Sequence, residues 1–213
     1  YNPARTALVL QAEKRGIPCM SGLYMLAAQA KRTAELFENR CIDESETERV
    51  WRALSARMQN VVLIGMPGCG KSAAAARLAE RLGRVMLDSD AEIERRAGMS
   101  CARMIETQGE AAFRLLESEV LADLGKRSGA VIATGGGCVL REENYDALHQ
   151  NGIIFWLERD PAHLPREGRP LSAGDLAALY GQRKARYARF ADRVIDNNGA
   201  LEDTVRQIAA ALL

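Results

Sequence analysis

The sequence lacks the features that mark several classes of protein. Its 29 Lys and Arg residues against 28 Asp and Glu leave a formal charge of +1, so it has no marked basic excess to bind a phosphate backbone. We therefore expect no nucleic acid partner. It also has no apolar run of about 18 residues and no apolar signal core at its start, so we expect no membrane partner and a cytoplasmic location.

Paired cysteines are missing as well. The five cysteines are scattered along the chain, with no C-x-x-C spacing and no nearby histidine. Such a pattern supports neither a zinc site nor a disulfide framework, and free thiols are the expected state. These residues are Cys19, Cys41, Cys69, Cys101 and Cys138.

The length of 213 residues fits one domain with a large core plus a fragment of a second. The first 58 residues contain no glycine-rich loop and predict two amphipathic helices. One carries an apolar stripe from Leu23 to Ala34, and the other begins near Ser45, where Ser45 and Glu48 match a capping box. Two such helices cannot bury both apolar faces alone, so they must pack on the rest of the chain or on another domain.

From residue 61 onward the pattern changes to short apolar runs that alternate with helical stretches. This alternation predicts an α/β fold with a parallel sheet covered by helices. The predicted strands are 61–64, 85–87, 130–133, 153–157 and 193–195, and the predicted helices are 73–82, 110–124, 141–149, 175–190 and 201–213. Proline and glycine concentrate in 161–174, which predicts a mobile loop.

Residues 65–72 read Gly-Met-Pro-Gly-Cys-Gly-Lys-Ser, which matches the phosphate-binding pattern G-x-x-x-x-G-K-[ST]. The segment follows a predicted strand and opens a predicted helix, as this loop requires. Its glycines allow backbone N–H groups to surround a phosphate, Lys71 can reach the terminal phosphates, and the Ser72 hydroxyl can bind Mg²⁺. The sequence therefore predicts a nucleoside triphosphate site.

Groups suited to a phosphate acceptor follow this loop. Asp88 and Asp90 come at the end of the second predicted strand, at the sheet edge where α/β folds bind ligands. In an extended segment both carboxylates point the same way, so one can serve the metal and the other an incoming hydroxyl. Asp90 as a helix cap is the plainer alternative. Further acceptor-side groups are Arg114 and Glu117 on one helix face, the three glycines at 135–137, and Arg166, Arg169 and Arg183.

Taken together, these motifs make residues 60–213 resemble shikimate kinase. The shared motifs are GMPGCGKS at 65–72, LDSD at 87–90, GE-x-x-FR-x-x-E at 109–117, ATGGG at 133–137, GRPLS at 168–172 and R-x-x-x-Y at 183–187. Each motif is ordinary alone, but their order and spacing are specific. The resemblance implies a fold like that of nucleoside monophosphate kinases, with a five-stranded parallel sheet in the order 2-3-1-4-5. It also implies phosphorylation of the shikimate 3-hydroxyl by ATP, with Mg²⁺.

The resemblance also implies roles for individual residues. Two arginines would grip the shikimate carboxylate, and Asp90 would orient the attacking hydroxyl. The residues implied to hold shikimate are Asp90, Arg114, Gly136, Gly137 and Arg183. Those implied to bind the nucleotide are Gly68, Cys69, Gly70, Lys71, Ser72, Ala73, Arg166 and Arg169. Lys71, Asp90 and Arg169 would be catalytic, and Ser72 and, through water, Asp88 would hold the metal.

Two other interpretations stay open at this point. Another small P-loop kinase, of the gluconate or nucleotide type, would share the phosphate-binding loop. The pairing of Arg114 and Arg183 with Asp90 suits a small hydroxylated carboxylic acid better. A module that binds nucleotide without transferring phosphate would have no need of these acceptor-side groups.

Residues 1–58 resemble a different family. Tyr1-Asn2-Pro3, Thr6, the run 22–26 and Gln29-Ala30 are similar to the C-terminal end of shikimate dehydrogenase. In that family the residues matching Met25 and Gln29 lie near the nicotinamide cofactor and the substrate. The catalytic and dinucleotide-binding parts fall outside the match, so we expect a helical remnant of a dehydrogenase covalently fused to the kinase domain of residues 60–213.

Overall fold

A five-stranded parallel sheet lies at the centre of the chain. The structure, a computed structural model, describes residues 2–164 and 176–212. The strands are β1 (Asn60–Ile64), β2 (Met86–Asp88), β3 (Val131–Ala133), β4 (Gly152–Glu158) and β5 (Arg193–Asp196). Their order is β2-β3-β1-β4-β5, and every pairing is parallel. The expected fold class and strand order are confirmed, and all carboxyl ends meet at one edge of the sheet.

Helices connect the strands and cover the sheet. The α-helices are α1 (Ala7–Lys14), α2 (Gly22–Glu38), α3 (Glu44–Met58), α4 (Lys71–Leu82), α5 (Ser89–Ala97), α6 (Cys101–Gly125), α7 (Glu143–His149), α8 (Leu176–Phe190) and α9 (Leu201–Ala210). α6 bends at Gly109, whose φ of 87° lies outside the helical region. Of the expected loop 161–174, Pro161–His163 forms a 3-10 turn, and residues 165–174 lie outside the described residues.

The core is built around β1, which is buried along its whole length. Such a strand carries apolar side chains on both faces because helices cover both sides of a parallel sheet. Ala74, Ala75 and Leu78 of α4 pack on one face with 0–1% of their surface exposed. Across the sheet, Phe155 of β4 is completely buried.

The N-terminal helices are packed less completely. Tyr24 of α2 meets Trp51 of α3 edge to face, with ring centroids 5.8 Å apart. The predicted stripes are buried only in part, because Leu23 and Ala27 are buried whereas Ala30 and Val50 are exposed. A cavity of about 340 Å³ remains between these helices and the amino-terminal edge of the sheet.

Hydrogen bonds attach this N-terminal part to the amino-terminal edge of the sheet. The buried Asn151 side chain accepts from the Ala4 backbone N–H and donates to Asn2 Oδ1, both at 2.6 Å. Arg84, before β2, donates to the carbonyls of Ala56 (2.7 Å) and Gln59 (2.9 Å), which end α3. The helices thus pack on the domain at the edge opposite the carboxyl ends of the strands.

The predicted capping box at Ser45 is wrong. α3 begins two residues earlier than the prediction requires: Asp43 is its N-cap, and Asp43 Oδ1 accepts the Ser45 N–H at 2.8 Å. All five cysteines are free, as expected. In the part of the chain that the structure describes, no helix combines the length and the apolar character that crossing a bilayer requires.

Candidate active site

The phosphate-binding loop connects β1 to α4, as its sequence predicts. Gly68 and Gly70 have φ values of 82° and 94°, which turn successive N–H groups toward one concave surface. Lys71 is the first residue of α4, so the positive end of the helix adds to this anion site. The Cys69 side chain is fully buried, and only its backbone is available to a nucleotide.

Hydrogen bonds from residues after β5 hold the phosphate-binding loop in place. Asn197, which follows β5, donates to the Cys69 carbonyl at 2.5 Å, and Thr204 donates to Asn197 Oδ1 at 2.7 Å. Both side chains are buried. These two hydrogen bonds were not predicted from the sequence, although Asn197 lies at the carboxyl end of a predicted strand, where ligand-binding residues are expected.

The Lys71 side chain is folded back onto the phosphate-binding loop. Its ammonium group donates to the carbonyls of Gly65 (3.0 Å) and Met66 (2.9 Å), and only 7% of the residue is exposed. An ammonium group has three donors, so Lys71 can exchange some of these carbonyls for phosphate oxygens without losing its place in the loop.

Ser72 and Asp88 form the part of the site that fits a metal ion. The Ser72 hydroxyl donates to Asp88 Oδ2 at 2.7 Å. Mg²⁺ takes few protein oxygens and completes its coordination with water and phosphate oxygens, so this pair matches its chemistry. Within 2–164 and 176–212, no group of three or more His, Cys, Asp or Glu residues forms a separate metal site.

The two aspartates approach each other for a different reason from the one predicted. β2 ends at Asp88 and Asp90 already belongs to α5, so the alternation of an extended segment does not apply. Asp88 is also the cap, in place of Asp90: its Oδ1 accepts the N–H groups of Asp90 (2.9 Å) and Ala91 (3.3 Å). The first turn of α5 therefore presents Asp90 beside the phosphate-binding loop.

The surroundings of Asp90 favour its protonated form. Removal from water raises the pKa of Asp90, the negative charge of Asp88 raises it further, and Lys71 opposes the shift. A carboxylate with a raised pKa is a better proton acceptor near neutral pH than an ordinary aspartate.

Arg114 lies beside the cleft in a buried ion pair. Its Nη1 donates to Glu117 Oε2 at 2.7 Å, and its Nε and Nη2 donate to Glu110 Oε1 at 3.2 and 3.0 Å. Burial raises the pKa of Glu117, and Arg114 opposes that shift. Glu117 Oε1 has no hydrogen-bond partner among the described residues. The resemblance pointed to Arg114, but the contact from Glu110 was not predicted.

Each glycine of the loop at 135–137 lies against a different part of the site. A Cβ atom on Gly135 would be 2.7 Å from Asp90 Oδ1 and 2.9 Å from Glu117 Oε1, and one on Gly136 would be 2.6 Å from the Pro67 ring. A Cβ atom on Gly137 would overlap the Arg114 guanidinium group. A side chain at Gly136 would therefore meet the Pro67 ring and backbone, and a side chain at Gly135 or Gly137 would displace Asp90, Glu117 or Arg114 from its present place.

Arg183 and Tyr187 reach the same loop from α8. Arg183 Nη1 donates to the Gly136 carbonyl at 3.1 Å, and the Tyr187 hydroxyl donates to the same oxygen at 2.5 Å. Ser89 Oγ accepts the Gly135 N–H at 2.9 Å, a contact that the sequence analysis missed. The loop is thus fixed from both sides.

These groups surround a cleft of about 260 Å³ at the carboxyl edge of the sheet. The structure brings together the phosphate-binding loop, Ala73, Asp90 and Gly136 along its walls. Arg114 and Gly137 adjoin it, as does Arg183. Arg166 and Arg169 lie outside the described residues, and their roles remain predictions.

Comparisons with known proteins agree with this geometry. The profile of the shikimate kinase family matches residues 67–213. The chain is 39% identical to the shikimate kinase of Symbiobacterium thermophilum, over 72% of this chain and 95% of that protein. It is 40% identical to the shikimate kinase of Burkholderia lata, over 71% of this chain and 91% of that protein.

Solved structures give the same result. A shikimate kinase from Acinetobacter baumannii in complex with shikimate superposes with a TM-score of 0.67 and 32% identity, covering 76% of this chain and 96% of that one. The shikimate kinase from Aquifex aeolicus superposes with a TM-score of 0.62 and 30% sequence identity, covering 72% of this chain and 96% of that one. The chain therefore belongs to the shikimate kinase family.

Proposed function

We propose that this chain transfers the γ-phosphoryl group of ATP to the 3-hydroxyl of shikimate, giving shikimate 3-phosphate and ADP. Two arginines and an aspartate meet at the glycine loop 135–137, which lies against Pro67 of the phosphate-binding loop, and this arrangement supports the proposal most strongly. The arginines suit a carboxylate because their planar forks bind it in two places. The loop and the helix end behind it suit the phosphates of the nucleotide.

At the acceptor end, Arg114 and Arg183 would bind the carboxylate, with backbone N–H groups of Gly136 and Gly137 alongside. Asp90 would hold the attacking hydroxyl and accept its proton as that oxygen bonds to phosphorus and ADP leaves. Its raised pKa supports this role. Phosphoryl transfer depends mainly on positioning and charge stabilisation, and these residues provide the positioning.

At the donor end, Lys71 would stabilise the charge that builds on the transferring group, and Arg169 would assist it. Ser72 and, through water, Asp88 would hold Mg²⁺, which supplies positive charge to the phosphates. Gly68, Gly70 and Ala73, with Arg166, would complete the nucleotide contacts. The 2.7 Å contact between Ser72 and Asp88 supports the metal assignment.

The decisive measurement is ADP release from MgATP with shikimate, quinate or gluconate as the acceptor. We expect turnover that depends on shikimate. A protein that releases ADP only with gluconate, or that binds ATP without any acceptor-dependent turnover, would contradict the proposal.

A variant pair tests the division of the site. Arg114→Ala should raise the KM for shikimate by about 100-fold, as expected for losing a charge-assisted contact, with little change in the KM for ATP. The matched control is Arg103→Ala, which removes an exposed arginine of the same helix. Equal effects of Arg114→Ala on both substrates would refute the assignment.

We also propose that residues 1–58 form a dehydrogenase-like remnant and residues 60–213 the kinase domain, joined in a longer fusion protein. The motif likeness to shikimate dehydrogenase supports this proposal. Met25 and Gln29, the positions that match its cofactor and substrate contacts, are exposed on α2, which is consistent with a remnant and not a second working site. Sequencing the gene upstream of the Tyr1 codon tests it: an initiator codon directly before Tyr1 would refute the fusion.

A further inference from the structure

Tyr187 is a buried ionisable residue for which the proposed reaction has no direct use. None of its surface is exposed, and its ring stacks on Trp156 with centroids 5.8 Å apart and planes 20° apart. Burial raises the pKa of Tyr187 well above the ordinary value, so its hydroxyl keeps its proton and acts as a hydrogen-bond donor throughout the neutral range.

Within the described residues, the hydroxyl donates to the carbonyl oxygen of Gly136, at 2.5 Å. Arg183, one turn earlier on α8, donates to the same oxygen at 3.1 Å. Arg183 is a charged group that the proposed function also assigns to the substrate carboxylate, whereas the Tyr187 hydroxyl is neutral and is assigned to no ligand.

The position of that carbonyl fixes the direction of the next N–H group. In a trans peptide the C=O and the following N–H point in opposite directions. Because the Gly136 oxygen is directed toward α8, the Gly137 N–H is directed away from α8. Gly137 itself lies against the Arg114 guanidinium group. The Gly137 N–H has no hydrogen-bond acceptor within 2–164 and 176–212.

We propose that Tyr187 is a positioning residue for substrate binding: by holding the Gly136 carbonyl, it keeps the Gly137 N–H beside Arg114 as a joint site for the substrate carboxylate. The proposal rests on the proposed function. Tyr187 matters most when Arg183 turns from the loop to the substrate, because its hydroxyl is then the bond from α8 that still holds the loop.

The test is Tyr187→Phe, which removes the hydroxyl and keeps the ring that stacks on Trp156. We expect the KM for shikimate to rise about tenfold, the scale of one hydrogen bond to a charged group. The KM for ATP and kcat should change less than twofold. An unchanged KM for shikimate would overturn the proposal.

The matched control is Trp156→Phe, which disturbs the same stacked pair without touching the Gly136 carbonyl. It should lower the melting temperature and leave the KM for shikimate unchanged. Equal increases in that KM for the two variants would mean that Tyr187 acts only through general packing, and would also overturn the proposal.

A substrate analogue separates the proposal from the function on which it rests. Binding of shikimate and of its carboxamide is measured by calorimetry with wild-type protein and with Tyr187→Phe. We expect the variant to weaken shikimate binding about tenfold and carboxamide binding far less, since the joint site acts on a carboxylate. Equal losses for both ligands would refute the carboxylate role. Absence of shikimate turnover by the wild-type protein would instead refute the proposed function itself.

Discussion

The N-terminal helices and the domain that follows them bury their apolar side chains to very different extents. Phe37 of α2 is 88% exposed, whereas Phe155 of β4 is not exposed at all. Met25 and Leu36 are also exposed on α2. Burying a large apolar side chain is the main favourable contribution to folding. The sheet domain therefore holds most of the stability of the chain, and the helices gain much less from packing on it.

The two regions also differ in what they contribute to the site. Every described residue assigned to shikimate, nucleotide or metal lies in the sheet domain, at the carboxyl edge of the strands. Contacts from α3 and the residues before α1 reach the opposite edge, through Asn151 and Arg84. The difference shows that attachment and catalysis are separated by the full length of the strands, so changes at one edge should leave the other unaffected.

The largest expected effect comes from Asp90→Asn. Loss of a proton acceptor should lower kcat by about 100- to 10,000-fold. Stability should not fall, because the amide carries no charge to be removed from water. The matched control is Asp203→Asn, which changes an exposed residue of α9. An active Asp90→Asn enzyme would remove Asp90 from the chemistry.

The next effect compares one phenylalanine from each region. Phe155→Ala should lower the free energy of unfolding by about 3–5 kcal/mol because it leaves a cavity in the core. Phe37→Ala should change it by less than about 0.5 kcal/mol because its ring is already in water. Urea titration of both variants measures the difference. Similar losses would show that α2 is packed as tightly as the sheet.

A smaller effect is expected at the attachment between the regions. Asn151→Ala removes the bonds to Asn2 and Ala4, and it also leaves the carbonyl of the buried Gly125 without the Asn151 amide donor at 3.2 Å, at a cost of about 1–3 kcal/mol in unfolding free energy. The KM and kcat with shikimate should stay unchanged. Thermal unfolding and steady-state kinetics check both parts, and a loss of activity at constant stability would contradict the separation of the two edges.

The smallest expected effect is a pH dependence of stability. The folded pKa of Asp90 is raised, so the folded state binds this proton more tightly than the unfolded state does. The contribution of Asp90 to the free energy of unfolding is therefore fully present below its unfolded pKa, and it is lost as pH rises through the folded pKa. Asp90→Asn should remove this loss. The melting temperature of the wild type should therefore fall relative to that of Asp90→Asn as pH rises from acidic to neutral. Parallel curves would contradict the raised pKa.

Much of the fold could be predicted from the sequence because its strands and crossover helices have strong patterns. Short apolar runs such as the one at β1 match strands buried on both faces, and the phosphate-binding motif locates its own strand and helix. The N-terminal stripes were less informative. Ala30 and Val50 fit a helical pattern, but whether such a face is buried depends on the partner that it meets, which periodicity does not contain.

The site was predicted less completely than the fold. Motifs predicted roles for Lys71, Ser72 and Arg114 because the chemistry of such sites requires particular residue types, and the structure places all three in or beside the cleft. Asn197 was missed because it contacts Cys69 from a distant part of the sequence. Glu110 lies four residues before Arg114 on the same helix, so the spacing alone would have allowed this ion pair to be predicted. The alternative that Asp90 caps the helix was wrong because β2 ends at Asp88, which is itself the cap, and strand ends are the least certain part of a sequence prediction.

The glycine loop at 135–137 has a consequence for specificity. In the proposed function this loop binds the substrate through its main chain, which loses no side-chain rotamer entropy when a ligand binds. The same absence of side chains means that substitution within the loop cannot adjust its shape for another acid. A change of substrate must therefore arise on the surrounding helices α5, α6 and α8, whose side chains can vary while the loop stays fixed.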